Sequence, residues 1–409
     1  MIGDFKRYDM TRRPNRQWNI LRPITWLLSF PDCISHKAQI NKDAFPKDLK
    51  PPYFLLCNHN AFMDFKVMTK AVFPHRANYV VAIDGFLGRG WLLRAVGCIC
   101  NRKFVKSINL VINMIHAKNN KDIVVLFPEA RYSLCGTTAI MPKSLGKMVK
   151  KMDIPLVTLI MHGHHINSPF WNTGNRKVKP VTSEMKLLLT KEEIKSLSAD
   201  EIFDKIVSAF QYDEYKWQKE NGIRVTDKKR AEGLHKVLYQ CPACKVEYKM
   251  SSMGTVLRCG SCNKAWEMSE LGELSALEGE TEFSHIPDWY EWQRSNVQKE
   301  VADGTYSLKT KVRVESLPND ERFIVFPERA ELIHDMSGFK LTGSFENKPY
   351  DIVWPAPTMH ACHIEYDYFG RGDCVDLNTT DDTLYLFPEE GDFSVTKISI
   401  ATEELYKLN

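Results

Sequence analysis

Tyr53-Phe54-Leu55-Leu56-Cys57 is a short, continuously apolar run that empties directly into Asn58-His59. A strand with one solvated face alternates apolar and polar residues. An unbroken apolar run is what a strand buried on both faces requires, so this segment belongs inside a sheet covered by helices. Ile123-Val124-Val125-Leu126-Phe127 and Leu156-Val157-Thr158-Leu159-Ile160-Met161 repeat the pattern. Further strand runs at 79–83 and 185–189 alternate with helix-length segments at 107–117 and 143–152, which specifies an α/β fold with a mainly parallel sheet and flanking helices. Ser198-Ala199-Asp200-Glu201 is a capping box that opens one more helix, with Ile202, Ile206, Val207 and Phe210 on its apolar face.

Polar residues collect where these strands end. His59 stands at the carboxyl end of the first strand, with Asp64 five residues on, and Pro128-Glu129-Ala130-Arg131-Tyr132-Ser133 follows the second. On one continuous helix that spacing sets two side chains about 140° apart, so His59 and Asp64 meet only with His59 in the turn and Asp64 in the first helical turn. Asp64 then accepts from one imidazole nitrogen, and the other is left free to take a proton from a hydroxyl. A His-x4-Asp pair alone is weak evidence, because a histidine near a helix start is more often a cap or a satisfied surface group.

Taken together, His59-x4-Asp64, the Phe127–Ser133 segment and Ile154-Pro155 before the third strand resemble the glycerolipid acyltransferase family. Its signatures are His-x4-Asp and a Phe-Pro-Glu-Gly-Thr-Arg-Ser-like segment. The first is matched in full. In the second, Ala130 replaces Gly, Arg131 stands where Thr is expected and Tyr132 where Arg is expected. The resemblance implies an O-acyltransferase acting on the free hydroxyl of a lysophospholipid, with acyl-CoA or acyl carrier protein as donor. The expected acceptor is 1-acylglycerol 3-phosphate, giving phosphatidic acid. His59 is implied as general base, Asp64 as its orienting partner, and Asn58, Glu129 and Arg131 as substrate-binding residues. Gly97-Cys98-Ile99-Cys100-Asn101-Arg102 is similar to the family's glycerol-phosphate block, which points to Arg102 and Lys103 as phosphate ligands. Two basic residues after an apolar run are otherwise a solvated strand end. No serine or cysteine nucleophile is needed, since the acceptor's own hydroxyl attacks.

Four of the eleven cysteines form a pattern. Cys241-Pro-Ala-Cys244 and Cys259-Gly-Ser-Cys262 are two Cys-x2-Cys knuckles at close to the usual spacing of a four-thiolate zinc site. Four thiolates fill a tetrahedron and leave no position for water, so the expected Zn2+ is structural. The other seven are scattered, several within apolar runs, as small buried hydrophobes in a reducing compartment are. Lys245, Lys249, Arg258 and Lys264 are opposed by Glu247, Glu267, Glu270 and Glu273, which argues for a docking module rather than a nucleic-acid surface.

With 409 residues the chain is too long for one small core, and a net charge of +4 selects no polyanionic partner. The distribution of charge says more. Lys6, Arg7, Arg12, Arg13, Arg16 and Arg22 precede Ile24-Thr25-Trp26-Leu27-Leu28-Ser29-Phe30, a pattern suited to the headgroup layer of an anionic membrane. The alternative is an ordinary packed helix. The apolar stretch is too short for a secretory signal and no small-residue cleavage site follows, so a cytoplasmic, peripherally membrane-associated protein is expected.

These landmarks predict five segments: 1–45, a basic amphipathic membrane-interface segment; 46–235, the acyltransferase domain; 236–275, a zinc ribbon; 276–304, a helical linker; and 305–409, a β-rich domain. The last contains many short strands followed by a helix, Val395 to Leu408, and resembles a pleckstrin-homology-like fold. A reading from a different class is a zinc-ribbon protein- or nucleic-acid-binding module on a catalytically silent α/β scaffold.

Overall fold

The computed structural model describes residues 2–408, which fall into two compact units. One holds residues 9–101 and 106–223. The other holds the residues up to Tyr8, Arg102–Val105 and everything from Arg224 onward.

The first unit is built on a seven-stranded sheet of β1 (Gln39–Asn41), β2 (Phe54–Cys57), β3 (Ala77–Ala82), β4 (Cys98–Asn101), β5 (Ile123–Leu126), β6 (Leu156–His162) and β7 (Thr182–Leu189). Their order is β1-β7-β6-β2-β5-β3-β4, with β6 and β7 antiparallel and every other neighbouring pair parallel. The unbroken apolar character of β2 has its reason in this position: Phe54, Leu55, Leu56 and Cys57 are all buried between β5 and β6. Helices Ile108–Asn119, Ser144–Met152 and Ala199–Ala209 contribute Leu110, Met114, Leu145, Val149, Ile202 and Ile206 to the same core as Phe54, Leu56 and Val124. The β2, β5 and β6 strands run side by side in one direction, so the segments that follow them leave the sheet at one edge.

Two helices bear on the expected interface. In α1 (Arg22–Ser35), Trp26 and Phe30 are half-buried: each sets its ring edge-on to Phe73, at 4.7 and 5.5 Å, beside α2 (Met63–Val72). Ile24, Leu27, Leu28 and Ile34 are the exposed apolar residues of α1. Residues up to Tyr8 belong to the other unit, where Arg7 donates to the Ile2 carbonyl and lies 3.8 Å from Asp382, and Tyr8 N–H donates to Pro318 O. The segment expected over 1–45 is therefore divided. Among the described residues no helix is long and apolar enough to cross a membrane.

The second unit contains a four-stranded antiparallel sheet of β8 (Met250–Met253), β9 (Val256–Cys259), β10 (Ala265–Met268) and β11 (Leu274–Ala276), in the order β11-β10-β9-β8. It also contains an eight-stranded antiparallel sheet: β12 (Ser307–Ser316), β13 (Ile324–Val325), β14 (Ala330–Asp335), β15 (Gly338–Phe345), β16 (Lys348–Pro355), β17 (His363–Glu365), β18 (Cys374–Asn378) and β19 (Thr383–Pro388). The path runs β16-β15-β14-β12-β19-β18-β17, and β13 pairs with β12. A terminal helix, Val395–Leu408, follows, and its residues through Leu405 are buried. The strand pairing establishes an antiparallel sheet domain. The narrower pleckstrin-homology-like assignment does not follow from it.

Candidate active site

The turn after β2 brings His59 to Asp64. Phe62 caps α2, which puts Asp64 in its first turn, and the carboxylate folds back toward the turn. Oδ2 accepts from His59 Nδ1 at 3.0 Å and from the Asn60 and Ala61 N–H groups at 2.6 and 3.0 Å. Oδ1 accepts from Nδ1 of His164 at 2.5 Å. Burial pushes the Asp64 carboxyl up, but the hydrogen bonds from His164 and His59 outweigh it and hold the group down at about 2. Asp64 is thus an ionised acceptor at neutral pH. His59 lies between Phe127 and Tyr132, with ring centroids at 4.3 and 4.4 Å, and its side chain keeps 25% of its exposure. Its Nε2 has no hydrogen-bond partner among the described residues. The arrangement is a base of fixed tautomer with one open nitrogen.

Glu129, at the end of β5, supports the turn from below. Its two oxygens accept from His59 N–H at 3.2 Å and Ala139 N–H at 2.8 Å, and Tyr212 Oη lies 3.2 Å from Oε2. The side chain is fully buried, and that burial pushes the carboxyl up to about 8 against the pull of those hydrogen bonds and of the Arg131 charge. Glu129 therefore holds the loops after β2 and β5 together, a bond reinforced by Ser133 N–H donating to the His59 carbonyl at 2.9 Å. Ala130, in the family's glycine position, has φ of 53°, the left-handed region where glycine is favoured.

The other expected ligands are placed differently. Asn58 is buried, with its amide donating to Met161 O at 2.9 Å and accepting from Met161 N–H at 2.8 Å, so both ends clamp β2 to β6. Arg131 is buried in the same unit as His59. Arg102 and Lys103 belong to the second unit. Arg102 donates to the carbonyls of Leu317, Pro318 and Asp381 and to Thr383 Oγ1, at 2.6 to 3.0 Å, and Lys103 lies 3.8 Å from the buried Asp376. Both terminal nitrogens of the Arg102 guanidinium already make two hydrogen bonds each, three to carbonyls and one to a hydroxyl, so neither is left for a phosphate, which corrects the assignment of Arg102.

Sequence reasoning passed over the histidines after β6. His162 donates from Nδ1 to Glu214 Oε1 at 3.0 Å, while Gly163 N–H donates to the other Glu214 oxygen at 2.7 Å. Gly163 has φ of 87°, and a Cβ there would lie 3.1 Å from the Trp217 ring, so the turn that separates His162 from His164 needs glycine. The signal was present in His162-Gly163-His164-His165, but nothing in the spacing ties these residues to Asp64 a hundred positions earlier.

The four expected metal ligands do come together. The sulfurs of Cys241, Cys244, Cys259 and Cys262 all lie within 4.8 Å of one another, and the Cys241–Cys262 and Cys244–Cys259 pairs are each 3.7 Å apart. All four are free thiols, and the two closest pairs are near the edge of about 3.8 Å that a tetrahedron with Zn–S of about 2.3 Å requires. The two knuckles are copies. In each, the residue after the second cysteine, Lys245 or Asn263, is left-handed and donates its N–H to the carbonyl of the first.

Residues 37–162 match the protein-family model described as Acyltransferase. The chain therefore carries an acyltransferase domain over these residues. The crystal structure of the 1-acyl-sn-glycerophosphate (LPA) acyltransferase PlsC from Thermotoga maritima is similar at 15% identity and a TM-score of 0.35, over 46% of this chain and 76% of that chain. A likeness that slight carries no argument about the site. No curated protein matches.

Proposed function

We propose that the protein transfers an acyl group from a thioester, acyl-CoA or acyl carrier protein, to the free hydroxyl of a lysophospholipid, with 1-acylglycerol 3-phosphate as acceptor. The observation that carries this reading is the quarter-exposed His59, held on buried Asp64 at 3.0 Å with its second nitrogen open. Nε2 takes the acceptor's proton as its oxygen attacks the thioester carbonyl. The C–S bond then breaks, and a thiolate with a free-thiol pKa of about 8.5 leaves without a strong general acid. Asp64, ionised throughout, stabilises the imidazolium that forms. Among the cations expected to bind substrate, Arg131 is the one that shares a unit with His59, and it supplies the charge for the acceptor's phosphate.

Two further roles belong to this reading. The four cysteines hold one structural Zn2+, which is supported by their sulfur spacing. The exposed Ile24, Leu27, Leu28 and Ile34 of α1 rest on the cytoplasmic face of the membrane that holds acceptor and product, which makes the protein peripheral. Incubating purified protein with a panel of lysophospholipids and both donor types tests the whole. Diacyl product with the phosphate-headed acceptor is the expected result. Absence of product with every donor, from folded protein, overturns it in favour of a docking module on a silent scaffold.

A further inference from the structure

Asp64 is shared. A carboxylate can only accept, so both histidines on it must present Nδ1–H, His59 to Oδ2 and His164 to Oδ1. The two differ in everything else. His59 keeps a quarter of its side-chain exposure, whereas His164 is fully buried and its Nε2 meets no hydrogen-bond partner. A buried ring nitrogen left unpaired costs free energy. His164 nevertheless keeps its other nitrogen on the carboxylate oxygen that His59 does not use. The other titratable or charged groups around this cluster are Glu129, whose Oε1 accepts from the His59 N–H, Tyr132, whose ring lies against His59, Cys57 on β2, which is held protonated by burial, and His165, which burial pushes down to about 3 and beside which Arg176 acts.

The geometry points to His164 as a positioning residue for the His59 base: it occupies Oδ1, fixes the plane of the Asp64 carboxylate, and limits the negative charge that Asp64 presents to His59. The inference rests on the proposed acyl transfer for its kinetic readout. It reaches beyond the matched family segment, which ends at His162.

Transfer rates measured across pH for the full chain, His164→Phe and His164→Gln test it. His164→Phe should lower kcat roughly 10- to 100-fold with little change in KM, as loss of an outer partner of an oriented histidine does. It should also move the acidic limb of kcat/KM to higher pH, because Asp64 relieved of a donor holds the imidazolium more strongly. His164→Gln keeps an N–H that can reach Oδ1, and should return the limb and most of kcat. Proton NMR supplies a readout independent of turnover. The wild-type protein should show two downfield Nδ1 protons, both lost in Asp64→Asn, with one lost and the other displaced in His164→Phe. A folded His164→Phe with unchanged kcat and limb, a fall in kcat with limb and remaining resonance unmoved, or a wild-type spectrum with one such proton would each overturn the inference. Full transfer by His59→Ala would instead sink the proposed function and leave the NMR pattern to report on His164.

Discussion

The His59 turn and the four-cysteine cluster are both polar constellations that fold out of short motifs, yet they end in opposite states. At the cluster every donor atom faces its three neighbours, and the backbone of each knuckle is turned by a left-handed residue to keep it so. At the turn, Asp64 is surrounded by four donors, but the chain of bonds stops at His59, whose outer nitrogen is open. A site that closes on itself stabilises structure, and one that stops short at a partly exposed base can exchange a proton with something else. The same contrast separates two buried carboxyls of the first unit. Asp64 is held at about 2 by its imidazole donors, and Glu129, with backbone and phenol donors, is raised to about 8 by burial.

The largest effect should come from opening the closed site. If the cluster holds Zn2+, chelation removes on the order of 10 kcal/mol of binding free energy that is also folding free energy, and the β8–β11 ribbon should unfold. Metal analysis should find one ion per chain. Ribbon amides that stay protected from hydrogen exchange in chelator would break the comparison at its closed end.

Glu129 comes next, and its sign is the reverse of the usual carboxylate. Its folded pKa is raised, so the stability it contributes is fully present below about 4.5 and is lost as pH rises to about 8. Asp64 works the other way, losing its contribution as pH falls from 3.8 toward 2. Denaturant titrations should show the first unit weakening by a few kcal/mol between pH 5 and pH 8. Glu129→Gln should flatten that slope, and an unchanged slope would remove Glu129 as its source.

Smaller again is the outward face of α1. Replacing Leu27 and Leu28 together by Glu removes two exposed apolar side chains, each worth roughly 1.5–3 kcal/mol when fully buried, from any lipid contact. Sedimentation with anionic vesicles should fall at least about tenfold, a loss of about 1.4 kcal/mol. Equal sedimentation would move the membrane contact elsewhere. The least effect belongs to Ala130→Gly, which relieves a left-handed alanine and should stabilise the first unit by about 1 kcal/mol in thermal unfolding.

What the sequence made legible was local. The apolar runs of β2, β5 and β6 were readable because burial on both faces leaves no alternation, and the His59–Asp64 and Cys-x2-Cys pairs because their partners lie within a few residues. The three-residue β1 and the polar-interrupted β18 were too short or too mixed to signal. Arg102 was misread because a basic residue after an apolar run looks the same whether it faces a phosphate or, as here, carbonyls more than two hundred positions away. For Trp26 and Phe30 composition left a lipid-facing and a packed helix equally open, because their contact with Phe73 joins residues more than forty positions apart. His164 needed the fold itself, since its meeting with Asp64 depends on β6 lying beside β2.

One measurement bears most directly on the account: acyl transfer to 1-acylglycerol 3-phosphate by the wild-type chain and by His59→Ala, with folding checked by circular dichroism. The side chain of His59 makes one hydrogen bond, to Asp64, so its loss should leave the fold intact and lower transfer by roughly 10³- to 10⁴-fold, with Asp64→Asn close behind. A folded His59→Ala protein that turns over at near the wild-type rate would contradict the central claim, that the open nitrogen of His59 is the base.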